Sequence, residues 1–192
     1  MTSNTFGLNA QSLNPAEFSA AFREQWSSME DRFFKFERLQ YYSQPGTPSY
    51  EALEQGRFFK ALRLVQESIK AEAGAYSSAR GRGVDLVRVR VVELPLSRYL
   101  RYEFVGYLTN HEMGEDVRVL EAADCRDLPE RLGDFLLFDD KAGLIHNYIP
   151  PQNIQDGGWL VDDASELAKL TALAETLLAR SVPLDEVRFE LG

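Results

Sequence analysis

One cysteine and two histidines in 192 residues leave little with which to hold a transition metal. Cys125 lies among Asp124, Arg126 and Asp127 without the Cys and His partners a zinc site needs, and a lone thiol closes no internal disulfide. Cationic residues are also in short supply. Twenty-one Lys and Arg against thirty Asp and Glu give a net charge of −9, which excludes a surface made to grip nucleic acid or anionic lipid over its whole extent. No apolar run reaches the roughly 18 residues of a membrane span, and the first residues show no basic start followed by an apolar block. The expectation is a cytoplasmic protein with no membrane contact, no direct nucleic-acid partner, no cofactor and no bound metal.

What is present centres on Val84 to Leu120. Val87, Val89 and Val91 alternate with Arg88 and Arg90 at the period of a pleated strand, and Pro95 stops the ladder. Ser97 caps a helix with Leu100, Phe104, Tyr107 and Leu108 on its apolar side, Asn110 and Gly114 bracket its exit, and Val117 and Val119 resume strand alternation.

Upstream, residues 1–13 are polar and aperiodic and read as a loose arm. Asn14, Pro15 and Glu17 form a helix start, and Phe18, Phe22, Trp26 and Met29 a stripe read as core rather than as a binding groove. Phe34 and Phe36 alternate with Lys35 and Glu37, which favours a strand within 33–42, although the first helix continued is the alternative. After the loop SQPGTPSY, Ser49 starts a short helix ending near Gly56, and Phe59, Leu62, Val65, Ile69 and Ala73 mark a longer one over 57–79. Downstream, Phe135 to Phe138 and Leu144 to Ile149 form a hairpin about Asp139–Gly143, and PPQNIQDGG is a loop before Trp159–Val161. Asp163 and Glu166 open a last helix over 164–180 carrying Leu167, Leu170, Leu173, Leu177 and Leu178, closed by Pro183. The fold class is therefore α/β (or α+β), a mixed central sheet of about four to six strands flanked by helices. Residues 14–192 form a single domain, with 14–56 as an N-terminal layer and 57–192 as the core.

The segments RVRVVELPLSRYLRYE (88–103), GEDVRVL (114–120), DFLLFDD (134–140), LVDDASELAKL and LLARSVPLDEV, with FERLQYY (36–42), resemble a set of uncharacterised actinobacterial proteins often encoded beside XRE-type helix-turn-helix regulators. The resemblance implies a regulatory protein partner and no catalytic residue. The strand, helix, strand and hairpin order ending in His146 is also similar in layout to half of a phospholipase D-like domain. The active form of that fold has a lysine two residues after its histidine; here Tyr148 stands there, which implies a silent version.

The most distinctive local chemistry is cationic. From Arg80 to Arg101 six arginines (Arg80, Arg82, Arg88, Arg90, Arg98, Arg101) face two acids in an otherwise acidic chain. Arg88, Arg90, Arg98, Tyr99, Arg101 and Glu103 are the candidate anion- or partner-binding residues, because guanidinium forks pair with planar anions. The competing reading is that the arginines pair with the protein's own Glu103, Glu115 or Asp139. Asp139 and Asp140 serve a turn more readily than a cation, His111 and His146 are isolated, and Cys125 has no neighbour that would activate it. Two functions follow. The first is a non-enzymatic cytoplasmic interaction or regulatory protein acting with a partner such as a helix-turn-helix regulator. The second is an anionic small-molecule or nucleotide-binding, phosphodiester-related domain in which Arg88, Arg90 and Arg101 converge on an open pocket.

Overall fold

A computed structural model describes residues 7–128 and 132–187. Its frame is an open, mixed sheet of eight strands in the order β1-β7-β6-β5-β2-β3-β4-β8, more strands than the four to six expected. β2 (Arg32–Glu37), β3 (Asp85–Val92) and β4 (Asp116–Glu121) run parallel, joined by right-sized crossovers that contain helices. β5 (Phe135–Phe138) pairs antiparallel with β2, and β6 (Ala142–Ile149) and β7 (Ile154–Val161) follow, each antiparallel to the strand before it. β1 (Gln11–Leu13) and β8 (Val182–Pro183) finish the edges.

The central unit is as expected from its pattern. Between β3 and β4, α5 (Arg98–Glu112) begins where the Ser97 side chain accepts a hydrogen bond from the Leu100 amide. α1 (Pro15–Ser28) opens with a complete capping box, since Asn14 accepts from the amides of Ala16 and Glu17 while the Glu17 carboxylate accepts from the Asn14 amide. α6 (Ala164–Arg180) opens on Asp163, but its Glu166 side chain pairs with Lys169.

Several expectations need correcting. Residues 11–13 of the expected arm are a strand that pairs with β7 and buries Leu13; residues 1–6 lie outside the described range. The loop expected over PPQNIQDGG is short, because Ile154 to Gly158 already belong to β7: Gly157, at φ +65°, admits the Leu13 carbonyl where a side chain would collide. The helix expected over 57–79 is two, α3 (Phe58–Ala71) and α4 (Ala73–Gly81), and Phe59 is 86% exposed while Ala61 and Val65 are the buried positions. Thr47 rather than Ser49 precedes the short α2 (Pro48–Glu54), with Pro48 at its first position, and Leu108 of α5 faces outward.

The two faces of the sheet differ in kind. One is dry: Phe34, Phe36, Val87, Val89, Val91, Phe135, Leu137 and Ile145 pack under Leu167, Leu170, Ala174 and Leu177 of α6. The other carries, in the same strands, Lys35 and Glu37 of β2, Arg88 and Arg90 of β3 and His146 of β6, because successive strand residues point to opposite faces. α1 covers one end of that face and α2 to α5 cover the other, so arginines that a strand pattern places toward water are buried, with Arg90 wholly inaccessible.

Candidate functional site

Between α1 and the α3–α4 junction, the polar face of the sheet is left uncovered as the floor of a cleft with two lobes. The larger, of about 620 Å³, is walled by Phe18, Phe22 and Trp26 of α1 and Tyr76 of α4, with Lys35, Arg88 and His146 rising from the sheet. The smaller, of about 310 Å³, runs under α5 and is polar, with Glu37, Ser49, Ser68, Tyr102, Glu103 and Asn110 on its walls. Lys35, Glu72, Tyr76 and Arg88 border both lobes, which makes them one continuous groove. Its size is within the range of small-molecule sites.

The floor is a row of paired charges. Glu37 accepts from Lys35 Nζ at 2.9 Å and from Arg88 Nη1 at 2.8 Å. Arg88 also grips Glu115 through Nε at 2.8 Å and Nη2 at 3.3 Å, and the Tyr76 hydroxyl donates to the same carboxylate at 3.1 Å. Burial alone would favour the neutral form of Glu37, but Lys35 and then Arg88 hold its carboxyl well below the usual range, so Glu37 is ionised at neutral pH. The ends of the row differ: Lys35 and Arg88 reach both lobes, whereas Glu37 and Glu103 line only the polar one.

Deeper in, polar groups outnumber their partners. Arg90 donates from Nη2 to the Leu39 carbonyl and lies 5.5 Å over the Tyr42 ring, while its Nε and Nη1 have no hydrogen-bond partner among the described residues. Asp134 accepts from the Tyr42 and Tyr148 hydroxyls and from the Arg38 amide, yet burial raises its pKa. Glu103, raised by burial and then by Glu37, accepts from the Tyr107 hydroxyl at 3.4 Å. His146 sits 4.9 Å from Phe18 and beside Tyr148, its buried Nδ1 also without a partner; burial and then Lys35 lower its pKa to about 3, so the imidazole is uncharged at neutral pH.

The sequence-derived candidates are thus divided. Arg88 and Glu103 line the cleft, and Arg90 and Tyr99 are buried beside it. Arg98 turns away to the Gly56 carbonyl and the Phe58 ring, and Arg101 to the Leu96 carbonyl. Arg88, Arg90 and Arg101 do not converge on an open pocket, for a simple reason: β2 and the α5–β4 turn supply Glu37 and Glu115 as internal counter-ions for Arg88, and helices close over Arg90. Asp139 serves its turn, accepting from the amides of Glu30, Asp31 and Arg32, and among the described residues no group of three or more His, Cys, Asp or Glu is placed to hold a metal. Lys35, Glu37, Glu72 and Tyr76 are not singled out as site residues by the sequence, while Trp26 is read there as core and His146 as isolated. The only local sign was that Lys35 and Glu37 alternate with phenylalanines just as Arg88 and Arg90 alternate with valines. No helix among the described residues is long and apolar enough to cross a membrane.

A family model described as a domain of unknown function (DUF6879) matches residues 20–188. No curated protein matches the chain. Among solved structures, TrmBL2, an archaeal chromatin protein whose structure shows a novel mode of DNA binding, aligns with 92% of this chain and 55% of its own length, at a TM-score of 0.47 and 10% identity, so this chain spans about half of that protein.

Proposed function

The chain belongs to the DUF6879 family, and we propose that it is a non-enzymatic binding domain whose cleft takes a small organic molecule over the charged face of the sheet. The observation that carries this reading is the continuity of the two lobes across Lys35, Glu72, Tyr76 and Arg88, with an aromatic wall on one side and donors and acceptors on the other. A packing flaw in a core would be apolar and small; this groove is large, charged and open. Catalysis is not part of the proposal. The strongest nucleophile candidate, His146, has no acid or base hydrogen-bonded to its ring among the described residues, and Lys35 and Arg88 of the floor each already pair with a carboxylate.

The test is a screen of unfolding temperature with amino acids, nucleosides, monosaccharides and organic acids as probes, run on the wild type and on Trp26→Ala. A ligand present at a hundred times its Kd adds about 2.7 kcal/mol of stability. A compound that raises the midpoint of the wild type and loses that effect in Trp26→Ala supports the reading. A screen in which no compound does so removes it.

A second reading, a regulatory protein partner such as a helix-turn-helix regulator, is favoured by Phe59, a large apolar side chain left 86% exposed on α3. Co-purification of a defined partner that is lost in Phe59→Ser supports it. Retention of the partner in that variant contradicts the assignment of the surface.

A further inference from the structure

The cleft's charge pattern, read together with its aromatic wall, specifies a ligand more narrowly. We propose that the site recognises an aromatic α-amino acid as its zwitterion, with the carboxylate on Lys35, the ammonium on Glu72 and the ring against Phe22 and Trp26. This rests on the reading of the cleft as a small-molecule site.

The argument begins with which charges are free to act. Arg88 is held between Glu37 and Glu115. Lys35 makes one ion pair, to Glu37, and an ammonium has three donors, so two remain for a ligand. Glu72 borders both lobes, and among the described residues its carboxylate has no ion pair or hydrogen bond. A cation with spare donors and an unpaired acid therefore border the same two lobes, as a ligand carrying both charges requires. A ligand with a single charge would satisfy one of them and desolvate the other without a partner.

The aromatic lobe then selects the side chain. Phe22 and Trp26 stack on each other at 5.8 Å, and Tyr76, tilted at 54°, lies 6.1 Å from Trp26, which gives the lobe an aromatic wall for a planar ring to pack against. Trp26 and Phe22 are only half-buried, although both contribute to the core beneath them. At about 620 Å³ the lobe does not restrict which aromatic ring enters. The uncharged imidazole of His146 also lines the lobe, and among the described residues its buried Nδ1 has no hydrogen-bond partner.

Calorimetric titration with L-phenylalanine, 3-phenylpropionate and phenethylamine tests this. The full zwitterion is expected to bind at least ten-fold more tightly than either analogue. Glu72→Gln, a change at an exposed position, is expected to weaken L-phenylalanine at least ten-fold and to leave 3-phenylpropionate unchanged; Lys35→Met is expected to weaken L-phenylalanine and leave phenethylamine unchanged. Equal affinity for the zwitterion and one analogue overturns the inference, as does absence of binding by L-phenylalanine, L-tyrosine and L-tryptophan alike. If a nucleoside or monosaccharide binds instead, with Trp26→Ala abolishing it, this inference fails while the cleft remains a ligand site. If no probe of any class binds, both fail.

Discussion

Replacing His146 by phenylalanine tests whether its imidazole, on the charged face of the sheet, is shielded from water by Phe18 and Tyr148. The folded protein holds this imidazole at a pKa of about 3, against 6.5 for the free side chain, because it is buried against Phe18 and faces Lys35. The sign follows from proton counting: below pH 6.5 the unfolded chain takes up a proton that the folded chain refuses, so stability contributed at neutral pH is lost as the solution is acidified. One pKa unit corresponds to about 1.36 kcal/mol, so at a pH about two units below 6.5 the wild type has lost about 2.7 kcal/mol through this group alone. Glu37, held ionised, adds loss on the acid side, while Glu103 and Asp134, whose pKa values are raised, act in the opposite direction; these effects are largely common to both chains and fall out of the difference. Urea unfolding of wild type and His146→Phe between about pH 7.5 and 4.5 gives that difference directly. Near pH 7.5 the variant is expected to lie within about 1 kcal/mol of the wild type, since the substitution removes a buried nitrogen that had no partner. Towards pH 4.5 it is expected to become the more stable by about 2–3 kcal/mol relative to that starting point. A difference that does not change with pH would show that His146 titrates as an exposed histidine, and its shielding from water by Phe18 and Tyr148 would be refuted.

Three other outcomes follow from contacts elsewhere. Arg88→Ala leaves Glu37 and Glu115 buried without their shared cation and is expected to cost about 3–5 kcal/mol in chemical denaturation, whereas exposed Arg63→Ala, which breaks only the pair with Glu67, is expected to cost less than about 0.5 kcal/mol. Gly158→Ala places a methyl group against the Ile145 carbonyl and 2.8 Å from the Phe18 ring, so unfolding of the variant is expected at a midpoint lower by several degrees, with loss of the β6–β7 amide protection in hydrogen exchange. Asn14→Ala removes the acceptor for two amides at the start of α1 and is expected to destabilise by about 1 kcal/mol, measured by urea unfolding.

The parts of the fold that were legible are those specified by neighbours in sequence. Val87, Val89 and Val91, then Pro95, Ser97 and the α5 stripe, declare strand, cap and helix within a few residues of one another, and Asn14-Pro15-Glu17 does the same for α1. β7 was hidden because Gly157 and Gly158 look like turn residues, while their actual role is to let β1 and β6 approach, a contact with Leu13 and Ile145 that lies far away in the chain. Phe59 was misplaced because apolar spacing fixes a stripe only when the face it meets is known. The site was the least legible part. Its wall comes from α1 and α4 and its floor from β2, β3 and β6, and nothing in a run of arginines reveals that Glu37 and Glu115, fifty-one and twenty-seven residues from Arg88, neutralise it.

The most direct test of the central proposal, that the groove over the charged face is where this protein binds its ligand, is a crystal structure of the protein soaked with whichever probe raises its unfolding temperature. The account expects the ligand to lie between Trp26 and Lys35, touching at least one of Glu72 and Arg88. A ligand found anywhere else on the molecule, with the groove holding water alone, would contradict it.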